Sequence, residues 1–183
     1  MLGLNPVSSY LSAIELWLPL TVGARLVIVP TSTALDPRAL AEGIDHHRIT
    51  VMQATPSIWQ LLLHSGWTGC PHLRAWSGGE LLRSKLVNRL LPLCRELWNL
   101  YGSTETAGWS LACRAQSGSP VSLGTPLSGI SVRIVDTQLQ PVPVGVPGEL
   151  VIGGGGLVAG NLDEPELTAR EFVFAPLDGG ETR

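Results

Sequence analysis

From Ser9 onward, the first two thirds of the chain alternate helix-like with strand-like segments, and few folds accommodate that alternation. Ser9 offers an N-cap for a helix over about residues 10–20 that buries Leu11, Ile14 and Leu18, and Gly23 stops it. A β-branched run at 25–29 follows, closed by Pro30. Asp36-Pro37 then starts a helix, with Asp as N-cap and Pro at the first helical position, and a strand follows at 49–53. Thr55-Pro56 repeats the device, placing Ile58, Leu61 and Leu62 on one helical face up to about His64. A strand at 73–76 runs into Ser77-Gly78-Gly79-Glu80. After a helix over 81–91, a strand at 96–100 runs into Tyr101-Gly102-Ser103-Thr104-Glu105-Thr106. Helical crossovers of this length between strands require a mainly parallel sheet flanked by helices, an α/β fold.

Near residues 116–120 (Gln-Ser-Gly-Ser-Pro) the texture changes. Short alternating stretches at 131–135 and 149–152, separated by a turn-rich 141–148, predict a small antiparallel β-barrel-like subdomain. A short helix is expected at 164–172, with Pro165 in its first turn. The expected organisation is an α/β part over 1–115 and a β-rich part over 116–183 of the same core.

Composition narrows the function. With 44% hydrophobic and 15% charged residues, the chain is too apolar for intrinsic disorder. Its net charge of −3 and single lysine, Lys85, leave no basic cluster, so no nucleic-acid partner is expected. The longest uncharged run, 49–73, is broken by Gln53, Pro56, His64 and Pro71, which suits no membrane span. No leader pattern opens the chain, and the expectation is a soluble, cytoplasmic protein. Cys70, Cys94 and Cys113 stand apart in sequence, fitting neither a disulfide framework nor a zinc site, and read as reduced core thiols.

Other motifs fall away. The Gly-Lys-Ser/Thr phosphate loop and the Gly-x-Ser-x-Gly nucleophile turn are absent. Gly154-x-Gly156-x-x-Ala159 formally fits a dinucleotide fingerprint, yet 157–161 does not read as a helix opening. His46, His47 and His64 end helices, where cations offset the helix dipole. Trp17, Trp59 and Trp98 are expected in the core, Trp76 and Trp109 beside a cleft.

That cleft follows from topology. In an open parallel sheet, ligands bind beyond the carboxyl ends of the strands. The loops at 53–55, 77–80 and 101–105 would gather on that edge. Gly78 and Gly79 let backbone approach a flat ligand, since no Cβ intervenes. Tyr101 offers a stacking face. Ser103 and Thr104 offer hydroxyls to phosphate oxygens, and Glu105 a ligand for Mg²⁺, a hard cation often shared with phosphates. Each loop also reads as an ordinary strand-to-helix turn, where Gly, Ser and Thr fall anyway.

The string Asn99-Leu-Tyr-Gly-Ser-Thr-Glu105 resembles the core motif of adenylate-forming enzymes, most closely the adenylation domains of nonribosomal peptide synthetases. The stretch at 73–80, ending Ser-Gly-Gly-Glu, is similar to the family's Gly-Gly-Glu loop. Segments 148–160 and 161–172 are similar to its Gly-Glu-Leu segment and sequel, and 16–25 is also similar. The resemblance covers nearly the whole chain in order. It implies activation of a carboxylic or amino acid by ATP as an acyl-adenylate, then transfer to a phosphopantetheine thiol on a carrier protein. Gly78, Gly79, Glu80, Asn99, Tyr101, Gly102 and Ser103 would bind nucleotide. Thr104 and Glu105 would be catalytic, with Glu105 also holding Mg²⁺. Tyr10, Leu11, Ile14, Gln53, Trp76, Gly78, Leu100, Gly108 and Trp109 would line the substrate pocket.

The resemblance also implies departures. The family's upstream phosphate loop, its ribose-binding Asp and its lid-domain lysine have no counterpart in these residues, and Lys85, within an expected helix, is no substitute. Tyr10 matches a position where amino-acid-activating members carry Asp. The expectation is therefore a partial adenylation core, inactive by itself. A CoA ligase or luciferase-like relative and a catalytically silent interaction module are the alternatives. The stretch 167–173 is closer to the synthetase pattern.

Overall fold

The computed structural model describes residues 1–173; residues 174–183 of the expected β-rich part lie outside them. A seven-stranded sheet runs in the order β2-β1-β3-β4-β5-β6-β7. Its strands are β1 (Leu2–Gly3), β2 (Val27–Ile28), β3 (Val51–Ala54), β4 (Cys70–Gly78), β5 (Cys94–Ser103), β6 (Gly108–Arg114) and β7 (Thr125–Pro126). Pairings β1–β2, β1–β3, β3–β4 and β4–β5 are all parallel, as the helical crossovers require. A separate antiparallel pair, β8 (Ile130–Val135) and β9 (Glu149–Gly154), is the small sheet expected after residue 116.

By compactness the described residues form two units: Met1–Gly102 with Leu111–Thr125, and Ser103–Ser110 with the described residues from Pro126 onward. In the first unit the helices are α1 (Tyr10–Thr21), α2 (Thr31–Leu35), α3 (Pro37–His46), α4 (Pro56–His64) and α5 (Ser84–Leu90). The two Pro starts behave as their sequence demands. Asp36 accepts from the N–H groups of Arg38 and Ala39, and Thr55 from that of Ile58. The core joins Leu40 and Ile44 of α3, Trp59 and Leu62 of α4, and Leu86, Val87 and Leu90 of α5 to Met52, Leu73, Ala75 and Leu97 of the sheet.

Helix α1 corrects one expectation. It buries Leu11, Ser12, Glu15 and Pro19, whereas Leu18 is 39% and Trp17 65% exposed. Apolar residues surround this helix, so hydrophobicity alone selects no stripe. Polar bonds select it instead, because Glu15 reaches the backbone of the loop before the helix. Trp59 is fully buried as expected, and Trp98 only half-buried. Strand β1, two residues long yet paired on both sides, has too few positions to show a period.

In the second unit, β8 and β9 pair from Ile130↔Gly154 to Val135↔Glu149. Asp136 turns the chain beyond β8 by accepting from the N–H groups of Gln138 and Gln140, at 2.8 and 2.9 Å. Helix α6 (Pro165–Glu171) begins on Pro165 as expected.

Candidate functional site

The pocket residues expected in the first unit converge on one sheet face. Register pairs Gln53 with Trp76, Trp76 with Trp98, and Gly78 with Leu100. Register partners share a face and successive residues alternate, so Gln53, Trp76, Gly78 and Leu100 line the same side. The other side carries Met52, Ala75 and Leu97, which pack into the core. Helix α1 lies over the first side, because buried Gln53 donates from Nε2 to the Leu11 carbonyl at 3.2 Å. That brings Leu11, buried, and Tyr10 and Ile14, half-buried, to the face on which β3, β4 and β5 present their residues.

Glu15 organises this floor, and sequence reasoning missed it. Its Oε2 accepts from the N–H groups of Leu4 and Asn5, both at 2.9 Å, and its Oε1 from Asn5 Nδ2 at 2.6 Å. Gln53 Nε2 lies 3.5 Å from the same Oε1. Burial raises the Glu15 carboxyl above its ordinary value, and the bonds from Asn5, Leu4 and Gln53 offset part of that rise. The only available signal was an acid inside an otherwise uncharged apolar helix.

Strands β4 and β5 end side by side, Gly78 opposite Leu100. The residue after β4, Gly79, has φ +80°, and a Cβ there would meet only the Thr55 methyl, at 3.8 Å. Backbone is thus open to a flat ligand at this point. The next residue on β5, Tyr101, is 38% exposed. Glu80 turns to the N-terminus of α4, where its Oε2 accepts from the Ser57 N–H and hydroxyl. Asn99, buried on β5, donates from Nδ2 to the Ser122 carbonyl at 2.8 Å. Gly102 is half-buried at the end of the same unit.

Ser103, Thr104, Glu105, Gly108 and Trp109 belong to the second unit. Its turn is held by Thr106, a second residue missed from sequence. The Ser103 N–H donates to Thr106 Oγ1 at 3.0 Å, and that hydroxyl lies 3.1 Å from the Gly108 carbonyl. Thr104 is left exposed and Glu105 half-buried. A hydrogen bond from Ser103, then one from its own backbone N–H, holds the Glu105 carboxyl below the usual range. The Glu105 carbonyl accepts from the Val158 N–H at 2.9 Å. A Cβ on Gly156 would press on Ile130 Cδ1 at 2.8 Å, so this glycine serves close packing. No helix opens at 157–161, so the formal dinucleotide pattern has no structural basis. Gly108 and Trp109 begin β6, both buried.

An anionic, half-buried carboxylate beside hydroxyls fits a hard cation shared with phosphate oxygens. Among the described residues, no group of three or more His, Cys, Asp or Glu could hold a metal by itself. No described helix is long and apolar enough to cross a membrane.

A mainly parallel α/β sheet, with a glycine-rich loop after β4 and the Tyr-Gly-Ser-Thr-Glu segment at the end of β5, is the core that the resemblance to adenylate-forming enzymes implies. Residues 1–162 match the model of the AMP-binding enzyme family, and the chain belongs to that family. It is 41% identical over 97% of its length to the PKS-NRPS hybrid synthetase ATPKS of Aspergillus niger, covering 10% of that protein. It is 42% identical over 100% of its length to a dimodular nonribosomal peptide synthase of Bacillus subtilis, covering 8% of it. The chain therefore spans a tenth or less of these relatives. Among solved structures, holo-AB3403, a four-domain nonribosomal peptide synthetase bound to AMP and glycine, superposes with TM-score 0.90 at 38% identity. That match covers 97% of this chain and 13% of the other. The Klebsiella oxytoca NpsA N-terminal subdomain in complex with anthranilyl-AMSN gives 0.86 at 30% identity, covering 99% of this chain and 47% of that one.

Proposed function

We propose that this chain forms part of an adenylation domain that activates a carboxylic acid with ATP as an acyl-adenylate. In this reading an oxygen of the acid attacks the α-phosphorus of ATP, pyrophosphate leaves, and the acyl group passes to the phosphopantetheine thiol of a carrier protein. The observation that carries it is the shared face of Gln53, Trp76, Gly78 and Leu100 beneath α1, at the carboxyl ends of parallel strands.

Residue roles follow. Gln53, Trp76 and Leu100, with Tyr10, Leu11 and Ile14 of α1, contact the acid, and the family likeness gives Gly108 and Trp109 the same role. Gly78 and Gly79 admit the adenine plane, Tyr101 stacks on it, and Asn99, Gly102 and Ser103 flank it. Glu80 holds the loop on α4. Thr104 donates to a phosphate oxygen, and Glu105 holds Mg²⁺, which when bound offsets charge developing on the phosphates. Tyr10 places no carboxylate at the first turn of α1, which supports a hydroxy, keto or aryl acid over an α-amino acid.

Turnover by these residues alone is expected to be negligible. Such catalysis is positioning plus electrostatic stabilisation, and one lost donor costs about 2.7–4 kcal/mol of barrier. The chain's single lysine, Lys85, is exposed on α5 and commits no charge to the loops described above. Calorimetry with AMP, and with an aryl acyl-sulfamoyl adenosine, tests the binding half; pyrophosphate exchange over a panel of acids tests turnover. Heat of binding that falls about 5- to 150-fold in affinity on Tyr101→Ala, without exchange, is the expected result. Absence of any nucleotide heat favours a silent interaction module. Release of the acyl group to CoA favours a CoA ligase relative.

A further inference from the structure

Two cysteines separated by more than twenty residues in sequence become register partners. Cys70 opens β4, Cys94 opens β5, and they pair directly across the parallel ladder. Strands so paired lie about 4.8 Å apart, inside the roughly 4.4–6.8 Å that a disulfide spans between Cα atoms. A second contact pins them. The residue before Cys70, Gly69, has φ +101°, and a Cβ there would sit 2.7 Å from the Leu93 carbonyl oxygen and 3.0 Å from Leu93 Cα. The backbones preceding both cysteines are therefore in tight contact. Just beyond, the register jumps to Arg74↔Glu96, so β4 carries extra residues between Cys70 and Arg74. Both cysteines are free and half-buried.

We propose that Cys70 and Cys94 form a reversible thiol–disulfide couple, a modification site that responds to small-molecule disulfides such as oxidised glutathione. The exchange balances. The Cys70 thiolate attacks one sulfur of the glutathione disulfide, forming a mixed disulfide and releasing one glutathione thiol. The Cys94 thiolate then attacks the Cys70 sulfur and expels the second. Two protein hydrogens leave on two glutathione thiols. Cys94 takes the second step, because its Sγ donates to the Leu90 carbonyl at 3.4 Å and burial pushes its thiol up to about 11. The cross-link lies at the amino ends of β4 and β5, opposite the carboxyl ends that carry Gly78 and Leu100.

The chain is incubated in oxidised and reduced glutathione mixtures, alkylated and mapped by tryptic mass spectrometry under non-reducing conditions. The expected result is a peptide pair joined through Cys70 and Cys94, reversed by reduced glutathione and retained by Cys113→Ala. Cys94→Ser should leave a stable glutathione adduct on Cys70. Glutathione adducts on the unmutated chain without the cross-link, linkage through Cys113, or failure of both cysteines to react would each overturn the proposal. The unmutated chain supplies these readouts, so a misfolded variant does not obscure them.

Discussion

The Glu80 carboxylate sits on the first turn of α4, where its Oε2 accepts from the Ser57 hydroxyl at 2.6 Å and the Ser57 N–H at 3.1 Å. A carboxylate there satisfies an orphan N–H and offsets the helix dipole. Glu80→Ala is expected to cost about 1 kcal/mol, and Glu80→Gln about half of that, since an acceptor survives without the charge. Thermal melts of the two variants and of Ser57→Ala, alone and combined with Glu80→Ala, measure it. Additive single effects would show that the two residues act independently.

Glu15 sets a pH dependence. Its folded pKa is raised above the ordinary 4.5, with burial the largest cause. Between the unfolded and folded values the native state holds a proton that the unfolded state has lost. Stability is therefore fullest below the unfolded value and declines as pH rises from about 4.5 through the folded one. Urea midpoints at several pH values should show this decline, and Glu15→Gln should remove it. The same variant should lose stability overall by about 1–3 kcal/mol, because its amide places donors against the donors of Asn5, Leu4 or Gln53. An unchanged pH slope in Glu15→Gln would assign the effect elsewhere.

Much of this was legible beforehand, and the misses have physical causes. Asp36-Pro37 and Thr55-Pro56 marked helix starts because cap and fixed φ act within four residues. Parallel pairing of β3, β4 and β5 follows from crossover length, and it brings Gly78 and Leu100 side by side. Glu15 stayed hidden because its partners Leu4, Asn5 and Gln53 reach it only through the fold, and Thr106 because its local turn carries no sequence signature. The partnership of Cys70 with Cys94 depends likewise on register, which spacing along the chain does not encode. Polar contacts and strand register, rather than hydrophobic pattern, were the unreadable part.

Two glycines with positive φ should respond differently to alanine. At Gly79 the added methyl meets only Thr55 Cγ2 at 3.8 Å, so the cost is backbone strain alone, about 1–2 kcal/mol. At Gly69 the same strain is joined by a Cβ 2.7 Å from the Leu93 carbonyl, which is backbone and cannot swing away. Gly69→Ala should therefore unfold at clearly lower denaturant than Gly79→Ala. The reverse order would mean that the chain at 69 relaxes freely.

Thr106 separates scaffold from chemistry in the second unit. Its hydroxyl accepts from the Ser103 N–H and lies within donating distance of both the Ser103 and Gly108 carbonyls, while the residue itself is buried. Thr106→Ser keeps the oxygen and should change stability little. Thr106→Val is nearly isosteric but leaves the part-buried Ser103 N–H unpaired, which costs about 1 kcal/mol. The turn it holds carries Thr104 and Glu105. In the proposed reading, Thr106→Val should weaken phosphate-dependent ATP binding more than AMP binding, whereas Tyr101→Ala weakens both alike. Calorimetry with the two nucleotides distinguishes these patterns, and equal losses for Thr106→Val would show that the turn does not meet the phosphates.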